Sequence, residues 1–209
     1  MTRKTPGLDD AYALKSPEDS RKLYADWAAS YDTEFAGAMD YLLPAAVAEA
    51  FAAEGGEGPV LDVGAGTGLA GLRLASLGVG VIDGVDISAE MLLKASEKRV
   101  YRRLFAGDVT GRLDAEDGTY RGILSSGTFT LGHVGPEAID ELLRVAAQGA
   151  IFVLSINAAH YEAAGFAAKF RALEGRIAGL SLPQVPIYGP RADPAHRADR
   201  AFLATFRKA

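Results

Sequence analysis

Hydrophobic positions along the chain fall into short blocks whose period changes between helical and strand spacing. Leu23, Tyr24, Trp27 and Tyr31 recur at intervals of three and four behind Ser16-Pro17-Glu18-Asp19, which combines a cap residue, a first-turn proline and two acids facing a helix dipole. This predicts an N-terminal amphipathic helix. A second helix over 40–53 stops at the Gly55-Gly56-Glu57-Gly58 break. Beyond it, apolar strand blocks at 59–63, 79–85, 103–106, 122–125 and 150–156 are separated by helical blocks at 69–77, 88–99 and 136–148. Ser88 caps the second of these, and the third carries Ile139, Leu142, Leu143 and Ala146 on one face.

Five strands joined by crossovers imply a parallel sheet covered by helices on both faces. Phe166, Phe170, Leu173 and Ile177, at spacings of four, three and four, predict one further helix. Strands over 184–188 and 201–207, split by a polar stretch containing proline, predict a closing antiparallel hairpin. The expected fold is therefore α/β: one doubly wound, mostly parallel seven-stranded sheet with helices on both faces and its last strand antiparallel. A single domain spans 1–209, with a helical cap over 1–56, a sheet core over 57–157, and a helix and hairpin over 158–209.

The 209 residues are 49% hydrophobic and carry a net charge of −5, which fits one globular domain and gives no electrostatic footprint for nucleic acid. No apolar run reaches the roughly 18 residues of a membrane span, and the start MTRKTPGLDD lacks a signal-peptide core, so a cytoplasmic location is expected. Zero cysteines and three histidines, His133, His160 and His196, leave no basis for a structural metal site. The oligomeric state stays open between monomer and homodimer.

The most specific segment is Leu61-Asp62-Val63-Gly64-Ala65-Gly66-Thr67-Gly68-Leu69, a strand running through a glycine-rich turn into a helix. Glycine is required where φ is positive or where a ligand approaches the backbone too closely for a Cβ. At the carboxyl end of a strand in an open α/β sheet, such a turn borders the ligand crevice. Gly66-Thr67-Gly68-Leu69-Ala70-Gly71 also matches the GxGxxG dinucleotide fingerprint, and Asp86, 18 residues past Gly68, suits a ribose-binding acid under either reading. Asp62 favours a cationic ligand, since a carboxylate there would sit unfavourably near a pyrophosphate. A nicotinamide-dependent oxidoreductase is the rival enzyme; the chain has no Tyr-x-x-x-Lys pair, which removes one dehydrogenase family.

Asp62-x-Gly64-x-Gly66-x-Gly68 resembles the acid-x-Gly-x-Gly-x-Gly loop of class I, seven-stranded S-adenosylmethionine-dependent methyltransferases. The resemblance continues through Gly84-Val85-Asp86-Ile87 and Gly107-Asp108-Val109. It also includes a YxxWAxxYD helix, Tyr24 to Asp32, similar to that of relatives of ubiquinone and menaquinone biosynthesis methyltransferases. One departure is Tyr120-Arg121, where many members have an aromatic-Asp pair entering the fourth strand.

The resemblance implies S-adenosylmethionine as cofactor and a small-molecule methyl acceptor with an O, N or C nucleophile. Gly64, Ala65, Gly66 and Gly68 would pass beneath the cofactor, Asp62 would help receive its amino group, and Asp86 would accept both ribose hydroxyls. Ile87, Met91 and Val109 would enclose the adenine, and Gly107 and Asp108 would border it, with Asp108 taking the amino group. Ser125 and Ser126 would face the methionine end, and Tyr24, Trp27 and Tyr31 would cap the sulfonium. Each has a plainer alternative: helix packing for the three aromatics, core for Met91, a turn cap for Asp108 and a strand end for the serines. His133 is the candidate general base, because its loop follows the fourth strand at the crevice. A non-catalytic binder on the same fold is the third functional alternative.

Overall fold

The computed structural model describes residues 16–130 and 134–209, together with Gly7, Asp10, Ala11 and Leu14. Eight strands form one sheet: β1 Val60–Val63, β2 Ile82–Asp86, β3 Tyr101–Ala106, β4 Tyr120–Phe129, β5 Ala146–Asn157, β6 Ile177–Ser181, β7 Gln184–Pro186 and β8 Arg200–Lys208. Their order is β3-β2-β1-β4-β5-β8-β6, with β7 also paired to β8. β1 to β5 are mutually parallel, and β8 is antiparallel to its three partners.

The chain runs outward from β1 to β3, then returns to β4 on the other side of β1. The adjoining carboxyl ends of β1 and β4 are thus the topological switch point, where open α/β sheets bind ligands. Val63, the last residue of β1, pairs with Val85 on one side and Ser125 on the other. The glycine loop leaves the sheet at that point.

Helices α1 Pro17–Trp27, α2 Leu43–Ala53, α3 Leu69–Ser76, α4 Ala89–Glu97, α5 Ala138–Val145, α6 Ala158–Ala164 and α7 Phe166–Ala172 surround the sheet. The period-two pattern of β5 explains the double cover. Phe152, Leu154 and Ile156 enter one core with Ile139, Leu142 and Phe206, while Ile151 and Val153 enter the opposite core with Val47, Phe51 and Leu74. A third cluster, around Trp27, Phe35, Met91 and Tyr188, fixes the N-terminal cap over the end of the sheet. No helix among the described residues is long and apolar enough to cross a membrane.

Three predicted helices differ from those observed; the one predicted over 136–148 ends at Val145, and Ala146, expected on its apolar face, is the first residue of β5. The N-terminal helix does not continue through Tyr31: α1 stops at Trp27, and a π-helical segment, Tyr31–Gly37, follows. Its wider turn brings Tyr31 and Phe35 against Trp27, with ring centroids 5.2 and 4.9 Å from the indole. The periodic run from Phe166 to Ile177 is one short helix, Phe166–Ala172, and the start of a strand. Gly165 and Gly175, at φ 80° and 82°, take left-handed conformations that interrupt a helix, and Ile177 packs against the core from β6.

Arg102 makes two hydrogen bonds to buried Asp83, at 2.9 and 2.6 Å, and Arg103 pairs with Asp114. Tyr120, of the divergent Tyr120-Arg121 pair, is buried and donates to the same Asp83 at 3.0 Å. Tyr120 therefore anchors β4 to β2.

Candidate active site

The turn after β1 owes its shape to three left-handed glycines, Gly64, Gly66 and Gly68, at φ 65°, 53° and 87°. Their surroundings differ. A Cβ on Gly64 would lie 1.9 Å from Thr128 Oγ1, and one on Gly68 would lie 2.9 Å from the Tyr101 ring and 3.2 Å from Ala95. These two positions need glycine because protein fills the space. A Cβ on Gly66 would meet nothing nearer than 4.0 Å, so its open side faces free space.

That space is a cleft of about 830 Å³, its open mouth included. From the sequence-derived set the cleft gathers Tyr24, Tyr31, Gly64, Gly66, Asp86, Ile87, Met91, Gly107, Asp108, Val109 and Ser126. Ser20, Val85, Thr110, Thr128 and Val134 also line it, and the sequence had not singled them out for this site. Asp62 and Ala65 border a smaller recess that shares Tyr31, Gly64, Gly66 and Ser126 with the cleft.

Three expected contacts lie elsewhere. Gly68 packs on Tyr101, and Ser125 is buried with its hydroxyl donating to Val63 O at 2.9 Å. Trp27 turns away from the cleft and lines a second cavity. His133 lies outside the described residues, although its neighbours Thr130 and Val134 border the second cavity and the cleft respectively.

Asp86 closes β2 and is held by two backbone donors, Gly66 N–H at 2.8 Å and Ser88 N–H at 2.9 Å, one to each carboxylate oxygen. This fixes its orientation while leaving a lone pair on each oxygen toward the cleft. Burial raises its pKa, and the backbone donors oppose that rise. Ser88 then caps α4 by accepting from Met91 N–H at 3.2 Å, which sets Met91 beneath the cleft. Asp108 Oδ1 accepts from the backbone and hydroxyl of Thr110 at 2.9 and 2.7 Å, so the turn-cap alternative holds for that oxygen.

Asp62 is almost wholly buried and accepts from the Tyr101 hydroxyl at 2.7 Å. Burial pushes its pKa up to about 7, and the nearby Asp86 charge adds to the rise. The Tyr31 hydroxyl is also held well above its ordinary value, by burial first and by Tyr41, Tyr24, Asp32 and Asp86 after that. It is therefore a neutral hydrogen-bonding group at working pH. Asp32, next in the chain, ties the cap to the loop: it accepts from Thr67 Oγ1 and pairs with Lys98 at 2.7 Å. Only the tertiary structure reveals this link, because its partners lie 35 and 66 residues away.

Whether the cleft suits S-adenosylmethionine can be tested on two features. Ser126 Oγ is the one buried side-chain polar atom among the described residues without a partner, and it faces both the cleft and the recess. Such a group carries a desolvation cost that a ligand hydrogen bond removes. Gly66 presents bare backbone to the same space. A polar ligand lying against the glycine loop fits both.

Residues 60–149 match a protein family described as a methyltransferase domain. No curated protein matches the chain. Among solved structures, a TehB-like S-adenosylmethionine-dependent methyltransferase from Corynebacterium glutamicum is 19% identical, with a TM-score of 0.63 over 90% of this chain and 100% of that one. An S-adenosylmethionine-dependent methyltransferase from Thermotoga maritima is 14% identical, with a TM-score of 0.63 over 90% and 98%. The cyclase SpnF is 16% identical, with a TM-score of 0.66 over 93% and 97%. At these identities the likeness is one of fold. The matched residues 60–149 carry the glycine loop and the switch point of β1 and β4, and over that segment the chain is similar to a methyltransferase domain.

Proposed function

We propose that the protein transfers a methyl group from S-adenosylmethionine to an O, N or C nucleophile of a small molecule. The observation that carries this reading is the open face of Gly66 standing beside the fixed carboxylate of Asp86 in one cleft. When bound, the cofactor supplies a methyl group on a sulfonium sulfur, already activated for in-line displacement. Asp86 accepts hydrogen bonds from the ribose hydroxyls, and Ile87, Met91 and Val109 give the adenine an apolar enclosure with Asp108 at its edge. Ser126 offers its unused hydroxyl to the methionine end, and Asp62 supplies negative charge near the amino group. Tyr24 and Tyr31 cover this end of the cleft, excluding water from the transfer. The quinone-enzyme likeness of the 24–32 segment is supported by that covering position of the two tyrosines.

Calorimetry with S-adenosylmethionine, S-adenosylhomocysteine and NAD tests the assignment; the first two should bind and the third should not. Asp86→Ala should weaken S-adenosylmethionine binding about 10- to 100-fold, the scale of lost hydrogen bonds to a charged acceptor. Unchanged affinity in the folded variant would refute the ribose role.

His133 is our candidate base, for an acceptor that loses a proton during transfer. His133→Ala should then lower kcat about 10²-fold with little change in cofactor affinity. A pH–rate limb near 6.5 in the wild type should vanish in the variant. If both proteins keep the same limb and rate, His133 has no part in the chemistry.

A second reading keeps the cofactor but not the methyl transfer, because a cyclase shares this fold. Formation of S-adenosylhomocysteine during turnover separates the two.

A further inference from the structure

A second cavity, with about 480 Å³ of free space, adjoins the cofactor cleft and shares Tyr24, Tyr31 and Gly127 with it. Its wall is a continuous band of rings. Ring centroids of Trp27 and Phe35 lie 4.9 Å apart, and those of Phe35 lie 5.5 Å from Tyr41 and 6.2 Å from Tyr188, at interplanar angles of 59°, 52° and 89°. These rings come from α1, the π-helical segment, the approach to α2, and the residues after β7, so the cavity exists only when the cap is seated.

The floor is different in kind. Ser155 and Asn157 stand two apart at the end of β5, on one face of the strand, and both line the cavity. Asn157 Oδ1 is already occupied, capping α6 through Ala159 N–H at 3.0 Å and His160 N–H at 3.2 Å. Its Nδ2 therefore remains as a donor. Ser155 Oγ accepts from Gly127 N–H at 2.9 Å, which leaves its O–H to donate as well.

No described residue lining the cavity is charged. An anionic guest would lose its hydration without meeting a cation, and a cationic guest would meet no carboxylate. An aromatic guest gains offset and edge-to-face contacts with the ring band that an aliphatic guest of equal size does not. Two adjacent neutral donors suit an oxygen acceptor.

We propose that this second cavity is the methyl-acceptor subsite and that it selects uncharged aromatic molecules bearing a carbonyl or hydroxyl oxygen. The assignment as acceptor site rests on the methyl-transfer reading above. Tyr31, which lines both cavities, stands at the boundary between them, on the side where cofactor and acceptor would meet.

The test is calorimetry on the full chain, with and without saturating S-adenosylhomocysteine. The probes are acetophenone, cyclohexyl methyl ketone as its aliphatic counterpart, and benzoate as its anionic one. Acetophenone should bind at least tenfold more tightly than the other two and should perturb the emission of Trp27, the chain's only tryptophan. Phe35→Leu, which keeps the wall apolar but removes a ring, should narrow the aromatic preference. Thr130→Trp, filling the cavity from its partly exposed rim, should abolish acetophenone binding while S-adenosylhomocysteine still binds.

Equal binding of the aliphatic ketone or of benzoate would overturn the proposed selectivity. Retention of acetophenone by Thr130→Trp would place its site elsewhere. S-adenosylhomocysteine binding without any acetophenone binding would overturn the subsite alone. Selective acetophenone binding in a protein that ignores S-adenosylhomocysteine would overturn the cofactor reading instead.

Discussion

Gly66→Val should reduce S-adenosylmethionine affinity at least 10³-fold while leaving a folded protein. Gly66 adopts φ 53°, and a residue with a Cβ there costs about 1–2 kcal/mol of backbone strain. That strain falls on both free and bound forms. The larger effect is specific to binding, since the first side-chain atom meets no protein atom nearer than 4.0 Å and enters the cleft that the ligand must fill. Gly66→Ala separates the contributions, giving a similar though smaller loss of stability and an intermediate affinity. Chemical denaturation and calorimetry on wild type and both variants measure the two quantities independently. Normal binding by the folded valine variant would make the loop a turn and nothing more.

The same loop shows why sequence reading reached the site but not all its parts. Three glycines between a strand and a helix are a local signal, and the structure places them at the switch point as the β/α alternation implied. Their separate tasks are not local. Gly64 yields to Thr128 and Gly68 to Tyr101, from strands later in the chain, so of the three only Gly66 has open space where a Cβ would stand. Tyr101 itself carries no sequence mark; it reaches Asp62 because β2 pairs with β3 and α3 crosses above. The aromatic pattern at 24, 27 and 31 predicted one helix face, but the change to a π-helical turn divides it, leaving Tyr24 and Tyr31 at the cleft and Trp27 at the second cavity alone.

Fold boundaries show a related limit. Phe166, Phe170, Leu173 and Ile177 keep a helical period because all four contact the same core, although the last does so from a strand. Spacing reports which residues are buried together and is silent about a left-handed glycine between them. The roles of Tyr188 and Ile187 in the second cavity were equally illegible, since they arrive there through the pairing of β7 with β8 and the bridge from Tyr41 to Tyr188.

Asp62 should make the free protein less stable as pH rises from about 4 to about 7. Its carboxyl has a pKa of about 7 in the folded chain against an ordinary value of 3.8, because burial disfavours the charged form more than the Tyr101 hydrogen bond favours it. Between those values the folded state holds the proton and the unfolded state does not, so raising the pH favours unfolding; above about 7 both are ionised and the dependence ends. The span corresponds to about 4 kcal/mol. Asp62→Asn keeps an oxygen for Tyr101 and removes the titration, so urea denaturation from pH 5 to 8 should show a flatter profile, with the residual slope due in part to Asp86, which burial also shifts upward. Identical slopes in the two proteins would remove Asp62 as the source. A cationic amino group beside Asp62 reverses the balance by favouring the carboxylate, so S-adenosylmethionine binding near pH 6.5 should release a proton and tighten as pH rises toward 8. Calorimetry in buffers of different ionisation enthalpy detects that proton, and its persistence in Asp62→Asn would place the cofactor's amino group away from this side chain.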